Sequence, residues 1–170
     1  MKITKDDKAN KGKQASIDGF AHEHIVVGIL MKKFQNVSLV DLPLSSYDII
    51  IARKIEGEDR EDIIRVQVKT SRKSISFTGG TRGGVDREYK SDVKTYTQSP
   101  KTSDVIIGIK PNENTDGYSL YFVPTILIAE WGTKSKSLKQ IEALKDNYDF
   151  LINCKNHQYI ITKAKELNII

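Results

Sequence analysis

Two β-branched stretches constrain the fold of this chain more than any other feature: Tyr47-Asp48-Ile49-Ile50-Ile51 and Ile63-Ile64-Arg65-Val66-Gln67-Val68-Lys69. Branching at Cβ restricts χ1 and suits the pleated backbone, so both stretches predict strands. Side chains alternate across a strand, which puts Val66 and Val68 on one face and Gln67 and Lys69 on the other. The acidic segment Glu56-Gly57-Glu58-Asp59 lies between them and predicts a hairpin turn. A sheet built on this pair needs further elements to cover its apolar face.

The rest of the chain supplies them. Ser16 is a suitable N-cap, and a helix is predicted from Ile17 to about Phe34. Leu39 to Leu42 predicts a first strand, Pro43-Leu44-Ser45-Ser46 a turn, Tyr47 to Lys54 a second strand and Ile63 to Thr70 a third. Residues 78–84, Thr-Gly-Gly-Thr-Arg-Gly-Gly, predict a loop. A helix or irregular segment around Tyr89 to Gln98 leads to a fourth strand, Asp104 to Lys110. A turn over Asn112 to Gly117 leads to a fifth, Tyr118 to Pro124. Ser137 then caps a late amphipathic helix carrying Leu138, Ile141, Leu144, Tyr148 and Leu151. The order α-β-β-β-α-β-β-α, which opens αβββαβ, predicts an α/β (α+β) domain with a mixed central sheet flanked by helices. There is no internal repeat. Residues 1–14 hold five Lys, two Asp and almost nothing apolar, so they predict a mobile basic arm ahead of a single domain over 15–170.

Four side chains in this frame suggest chemistry. Asp48 opens an otherwise apolar strand; its structural alternative is a turn residue after Ser45-Ser46. Gln67 offers an amide oxygen and Lys69 an ammonium on one face, where the alternatives are a strand hydrogen bond and a snorkelling surface lysine. At about 100° per residue, Glu23 shares a helical arc with Phe20, Val27, Leu30 and Phe34. A carboxylate in a core-facing stripe needs a cation beside it, because an unpaired buried charge is costly. His22 and His24, two residues apart, fall on different helical faces and do not make a zinc pair; they are predicted to lie on the surface or behind the site.

The order Glu23, Tyr47-Asp48, Gln67-Val68-Lys69 resembles the PD-(D/E)xK nuclease superfamily, over roughly residues 16 to 110. That group includes restriction endonucleases, archaeal-type Holliday junction resolvases and some homing endonucleases. Tyr47 stands where the usual pattern has Pro, and Gln67 where it more often has Glu. The resemblance implies a restriction-endonuclease-like core and a Mg²⁺-dependent endodeoxyribonuclease, with Mn²⁺ as a substitute. Glu23, Asp48, Gln67 and the Val68 carbonyl would hold the metal, and Lys69 would support the attacking water and the transition state. A DNA-binding module that keeps the fold without useful catalysis is the alternative reading.

Charge favours an anionic partner: the net charge is +5. Between Lys69 and Lys94 seven Lys or Arg face three acids, a local +4. Arg72, Lys73, Arg82, Arg87, Lys90 and Lys94 are therefore candidate contacts to a DNA backbone, with Tyr89 and Tyr96 adding stacking or phosphate hydrogen bonds. The short chain suits a homodimer with two symmetric sites. The lone Cys154 excludes an intramolecular disulfide and a cysteine-built zinc site, and is predicted to be a small core residue. No apolar leader or spanning run is present in the sequence, so an intracellular protein without membrane contact is expected.

Overall fold

The computed structural model describes residues 5–42, 45–80 and 95–170. Among them are helix α1 (Lys5–Met31) and strands β1 (Asn36–Leu39), β2 (Ile49–Lys54), β3 (Glu61–Thr70), β4 (Ser74–Ser76), β5 (Thr78–Gly80), β6 (Thr95–Thr97), β7 (Val105–Pro111) and β8 (Tyr118–Pro124). Helix α2 (Thr125–Trp131), strand β9 (Ser135–Ser137), a 3₁₀ helix (Leu138–Leu144) and helices α3 (Tyr148–Ile152) and α4 (His157–Glu166) follow.

The main sheet has the order β1-β2-β3-β7-β8 and is mixed: only β3 and β7 run parallel. The hairpin expected between β2 and β3 is present, with Ile49 opposite Val66 and Lys54 opposite Glu61. Along β3 the predicted alternation holds. Ile64, Val66 and Val68 are buried, whereas Arg65, Gln67 and Lys69 keep part of their surface. β7 is buried from Val105 to Ile109 without alternation, as expected for a central strand covered on both faces. Helix α1 packs against β1 and β3, and the 3₁₀ helix and α3 pack against β8. Two small antiparallel pairs, β4 with β9 and β5 with β6, lie outside the main sheet. Gly108 on β7 allows a close approach: a Cβ there would overlap the Ile75 side chain and come within 3.1 Å of Ser71 Oγ.

Several elements differ from expectation. Helix α1 starts at Lys5 rather than Ile17, so most of the predicted basic arm enters the helix. Lys, Ala and Gln dominate that stretch and propagate a helix well without any apolar periodicity. Its buried face is His22, Val26 and Leu30, one residue per turn, while Phe20 is 63% exposed. The helix is apolar nearly all round from Ile25 to Leu30, which blurred the arc on which Glu23 was placed. Part of the predicted 78–84 loop is strand β5, paired with Thr95–Thr97; residues 81–84 lie outside the described residues, as do Pro43 and Leu44. At Thr95–Thr97 the expected helix or irregular segment is a strand.

The late amphipathic helix is two elements. Leu138, Ile141 and Leu144 recur every third residue and are all buried, in two short 3₁₀ turns joined by a kink at Ile141 (φ −122°, ψ 25°). Ser137 and Gln140 form a full capping box at its start. The chain then breaks: Asp146 has φ +50°, its N–H donates to the Leu120 carbonyl, and its carboxylate accepts the Leu120 N–H at 2.9 Å. Pairing with the edge of β8 thus displaces the helical turn.

Cys154 is buried, as expected, and burial followed by the nearby Asp104 charge pushes its thiol up to about 12 from an ordinary 9. The unfolded chain would lose that proton near pH 9 and the folded chain only near pH 12. Between those values the folded state binds more protons, so stability falls as pH rises, by up to about 1.4 kcal/mol per pH unit. Burial and Glu142 raise the Tyr121 hydroxyl as well, adding to the loss above pH 10. Urea midpoints at pH 8 and pH 10.5 should therefore drop less in Cys154→Ala than in wild type.

Candidate active site

A cleft of about 820 Å³ opens between the middle of α1, the segment before β2, the second half of β3 and the β5–β6 pair. Glu23, Asp48, Gln67, Val68 and Lys69 all line it, with Ser46, Gly79 and Tyr96. Four side chains spread over more than 40 residues of sequence thus face one space. The sheet brings them there. The β2–β3 ladder ends at Ile49 opposite Val66. One residue earlier, Asp48 still donates its N–H to the Val66 carbonyl at 2.8 Å, and its own carbonyl accepts from Val40 at 2.8 Å. With its backbone pinned on both sides, the carboxylate turns onto β3, where Oδ2 accepts the Val68 N–H at 2.7 Å.

The Gln67 amide has a defined orientation. Its nitrogen donates to Asp48 Oδ2 and lies 3.3 Å from the Val68 carbonyl. Both partners are acceptors only, so the NH₂ group must be the end that faces them. Its oxygen accepts from Gln98 Nε2 at 3.1 Å. The side chain expected to offer a ligand oxygen beside Asp48 instead presents N–H groups there. For the Gln67 oxygen to reach a cation, the amide would have to turn over.

Glu23 and Lys69 are each partly buried on the cleft wall and engaged with neighbours. Tyr96 lies across Gly79: a Cβ at that position would be 2.5 Å from the tyrosine ring. Burial raises the Tyr96 hydroxyl, and the negative charge of Asp48 acts in the same direction. His22 is buried behind the cleft, one of the two places expected for it, with Nδ1 2.8 Å from Oγ1 of the cleft-lining Thr70 and its ring edge-on to Tyr118 at 5.8 Å. His24 is exposed and bonded to the Phe20 carbonyl. Of the basic candidates, Arg72 and Lys73 are exposed in the turn between β3 and β4. Arg82, Arg87, Lys90 and Lys94, like Tyr89, lie outside the described residues.

One residue that sequence reasoning missed stands behind the site. Gln98 is 1% exposed and contacts both Gln67 and the Ser46 carbonyl. No local pattern marks it, because its partners come together only when β6 crosses back to β7.

Two carboxylates and a main-chain carbonyl suit a hard divalent cation such as Mg²⁺, which accepts one or two carboxylates and keeps several waters. Among the described residues no group of three His, Cys, Asp or Glu side chains could hold a metal. Such an ion would therefore rest on Asp48, Glu23, the Val68 carbonyl and water. No helix among the described residues is long and apolar enough to cross a membrane. No protein-family model, curated protein or solved structure matches the chain.

Proposed function

We propose that this chain is a Mg²⁺-dependent endodeoxyribonuclease with a restriction-endonuclease-like core, acting on DNA as a compact homodimer. The observation that carries this reading is the convergence of Glu23, Asp48, Gln67 and Lys69 on one cleft. Asp48 and Glu23 would hold the cation, whose role when bound is to lower the pKa of a coordinated water and to neutralise phosphate charge. Lys69 contributes a fixed positive charge beside the scissile phosphate, where negative charge grows in the transition state. Tyr96 would offer its hydroxyl to a non-bridging phosphate oxygen, and Arg72 and Lys73, exposed in the turn after β3, would meet the DNA backbone beyond the cleft.

A second reading has its own support. The Gln67 amide places N–H donors on the Asp48 oxygen that a metal would use, which favours a DNA-binding module with weak metal affinity. Supercoiled plasmid, linear duplex and a four-way junction, each incubated with and without Mg²⁺, separate the two. Metal-dependent cleavage of any substrate supports the nuclease; salt-sensitive binding without cleavage supports the module. Absence of DNA affinity even at low salt excludes both, since a basic surface that contacts phosphates must release counterions.

A further inference from the structure

The polar chain behind the cleft is fully determined by its end groups. Gln98 donates from Nε2 to the Ser46 carbonyl at 3.3 Å and to Gln67 Oε1 at 3.1 Å. Its oxygen accepts from Ser103 Oγ at 3.0 Å and from the Thr102 hydroxyl. These contacts use both hydrogens and both lone pairs of the buried amide, and the Tyr96 hydroxyl is a further hydrogen-bond neighbour. A main-chain carbonyl cannot donate, so the Ser46 contact alone fixes which end of Gln98 is nitrogen. That fixes Gln67 in turn, with its oxygen on Gln98 and its nitrogen between the Asp48 carboxylate and the Val68 carbonyl.

We propose that Gln98 is a positioning residue that locks the Gln67 amide in this donor orientation, so that a divalent cation enters the Asp48 site only when the lock opens. The inference rests on the cleft being a metal site. Turning Gln67 over would bring its oxygen to the cation but set its NH₂ against the NH₂ of Gln98. Gln98 cannot follow, because its oxygen would then face the Ser46 carbonyl. Opening therefore sacrifices at least one buried hydrogen bond, and the two N–H groups of Gln67 occupy the oxygens of Asp48 and Val68 until it happens. The device holds the site in a low-affinity state and couples cation entry to the Ser46–Gln98–Ser103 network behind it.

Isothermal titration with Mn²⁺ on wild type, Gln98→Met, Gln67→Glu and the double variant tests this. Methionine keeps the unbranched shape of glutamine and removes its hydrogen bonds. With Gln67 present, Gln98→Met should tighten Mn²⁺ binding about three- to tenfold, the equivalent of one buried hydrogen bond no longer to be broken. Gln67→Glu should tighten it too, by placing a carboxylate beside Asp48. In the Gln67→Glu background the effect of Gln98→Met should reverse, because there Gln98 donates to the new carboxylate and holds it toward the cation. Tightening by Gln67→Glu with no gain from Gln98→Met in the wild-type background overturns the lock and leaves the metal site standing. Absence of Mn²⁺ binding in all four proteins overturns the metal site and the lock together.

If Gln98→Met does not fold, the side-chain amide signals of the unmodified protein decide. The Gln67 NH₂ pair, identified by its loss in Gln67→Glu, should be shifted and slow to exchange, and Mg²⁺ should move the Gln98 pair along with it. Gln67 signals that coincide with those of solvent-exposed glutamines contradict the lock.

Discussion

Asp48→Ala should reduce DNA cleavage to background and lower stability by about 1–3 kcal/mol, a double loss expected of no other cleft residue. The carboxylate has two tasks. It accepts the Val68 N–H at 2.7 Å and the Gln67 amide, so removing it leaves two donors on β3 without an acceptor. Under the proposed function it is also the best-placed anchor for the cation, and among the described residues Glu23 is the other carboxylate lining the cleft. Asp48→Asn separates the tasks. Its amide oxygen can still accept from Val68, so most of the stability should return while Mn²⁺ affinity and cleavage stay lost. Chemical denaturation, cation titration and plasmid cleavage on the three proteins make the comparison.

Lys69→Ala should lower the cleavage rate about 10²–10³-fold and leave DNA affinity within about twofold. One lysine is a small share of the electrostatic footprint of a protein with net charge +5. At the scissile phosphate, however, its charge acts where the transition state is more negative than the ground state. The β-ladder, which pairs Lys69 with Gly108, should survive the truncation, because the side chain points away from the buried Val66–Val68 face. Single-turnover cleavage and fluorescence anisotropy, run at one salt concentration, give the two numbers. Equal losses in both would make Lys69 a phosphate contact outside the reacting centre.

Periodicity carried most of the fold. The runs at Ile49–Ile51, Ile63–Val68 and Tyr118–Pro124 each became a sheet strand, because β-branched and aromatic residues bounded by turn formers admit few other solutions. The first strand lay a few residues earlier than expected, at Asn36–Leu39. Helix α2 escaped notice since Ile126, Leu127 and Ile128 simply prolong the apolar run of β8; the only sign of its end is Gly132 at φ +59°. Helix α4 did leave a local signal: Asn156 accepts the Tyr159 N–H at 3.0 Å as an N-cap, and Ile160 and Ala164 bury one stripe.

The cleft was legible to a different degree. Strand alternation placed Gln67 and Lys69 on a common face, and Asp48 reached them because antiparallel pairing brings the start of β2 to the end of β3. What no local pattern encodes is the direction of an amide. Gln67 and Gln98 are oriented by the Ser46 carbonyl and the Ser103 hydroxyl, groups from separate segments that meet only after folding. For His22 the sequence left surface and support behind the site open; Thr70 and Tyr118, which meet the helix only after folding, decide for the second.

Nicking of supercoiled plasmid by wild type, Asp48→Ala and Lys69→Ala, purified in parallel, is the most direct test of a metal-dependent nuclease site in this cleft. Wild type should convert supercoiled to nicked or linear DNA only when Mg²⁺ or Mn²⁺ is present, and a chelator should stop it. Asp48→Ala should show no nicking and Lys69→Ala nicking slowed about 10²–10³-fold, both still binding the plasmid at low salt. No nicking by wild type with either cation, or equal nicking by all three proteins, would contradict the assignment.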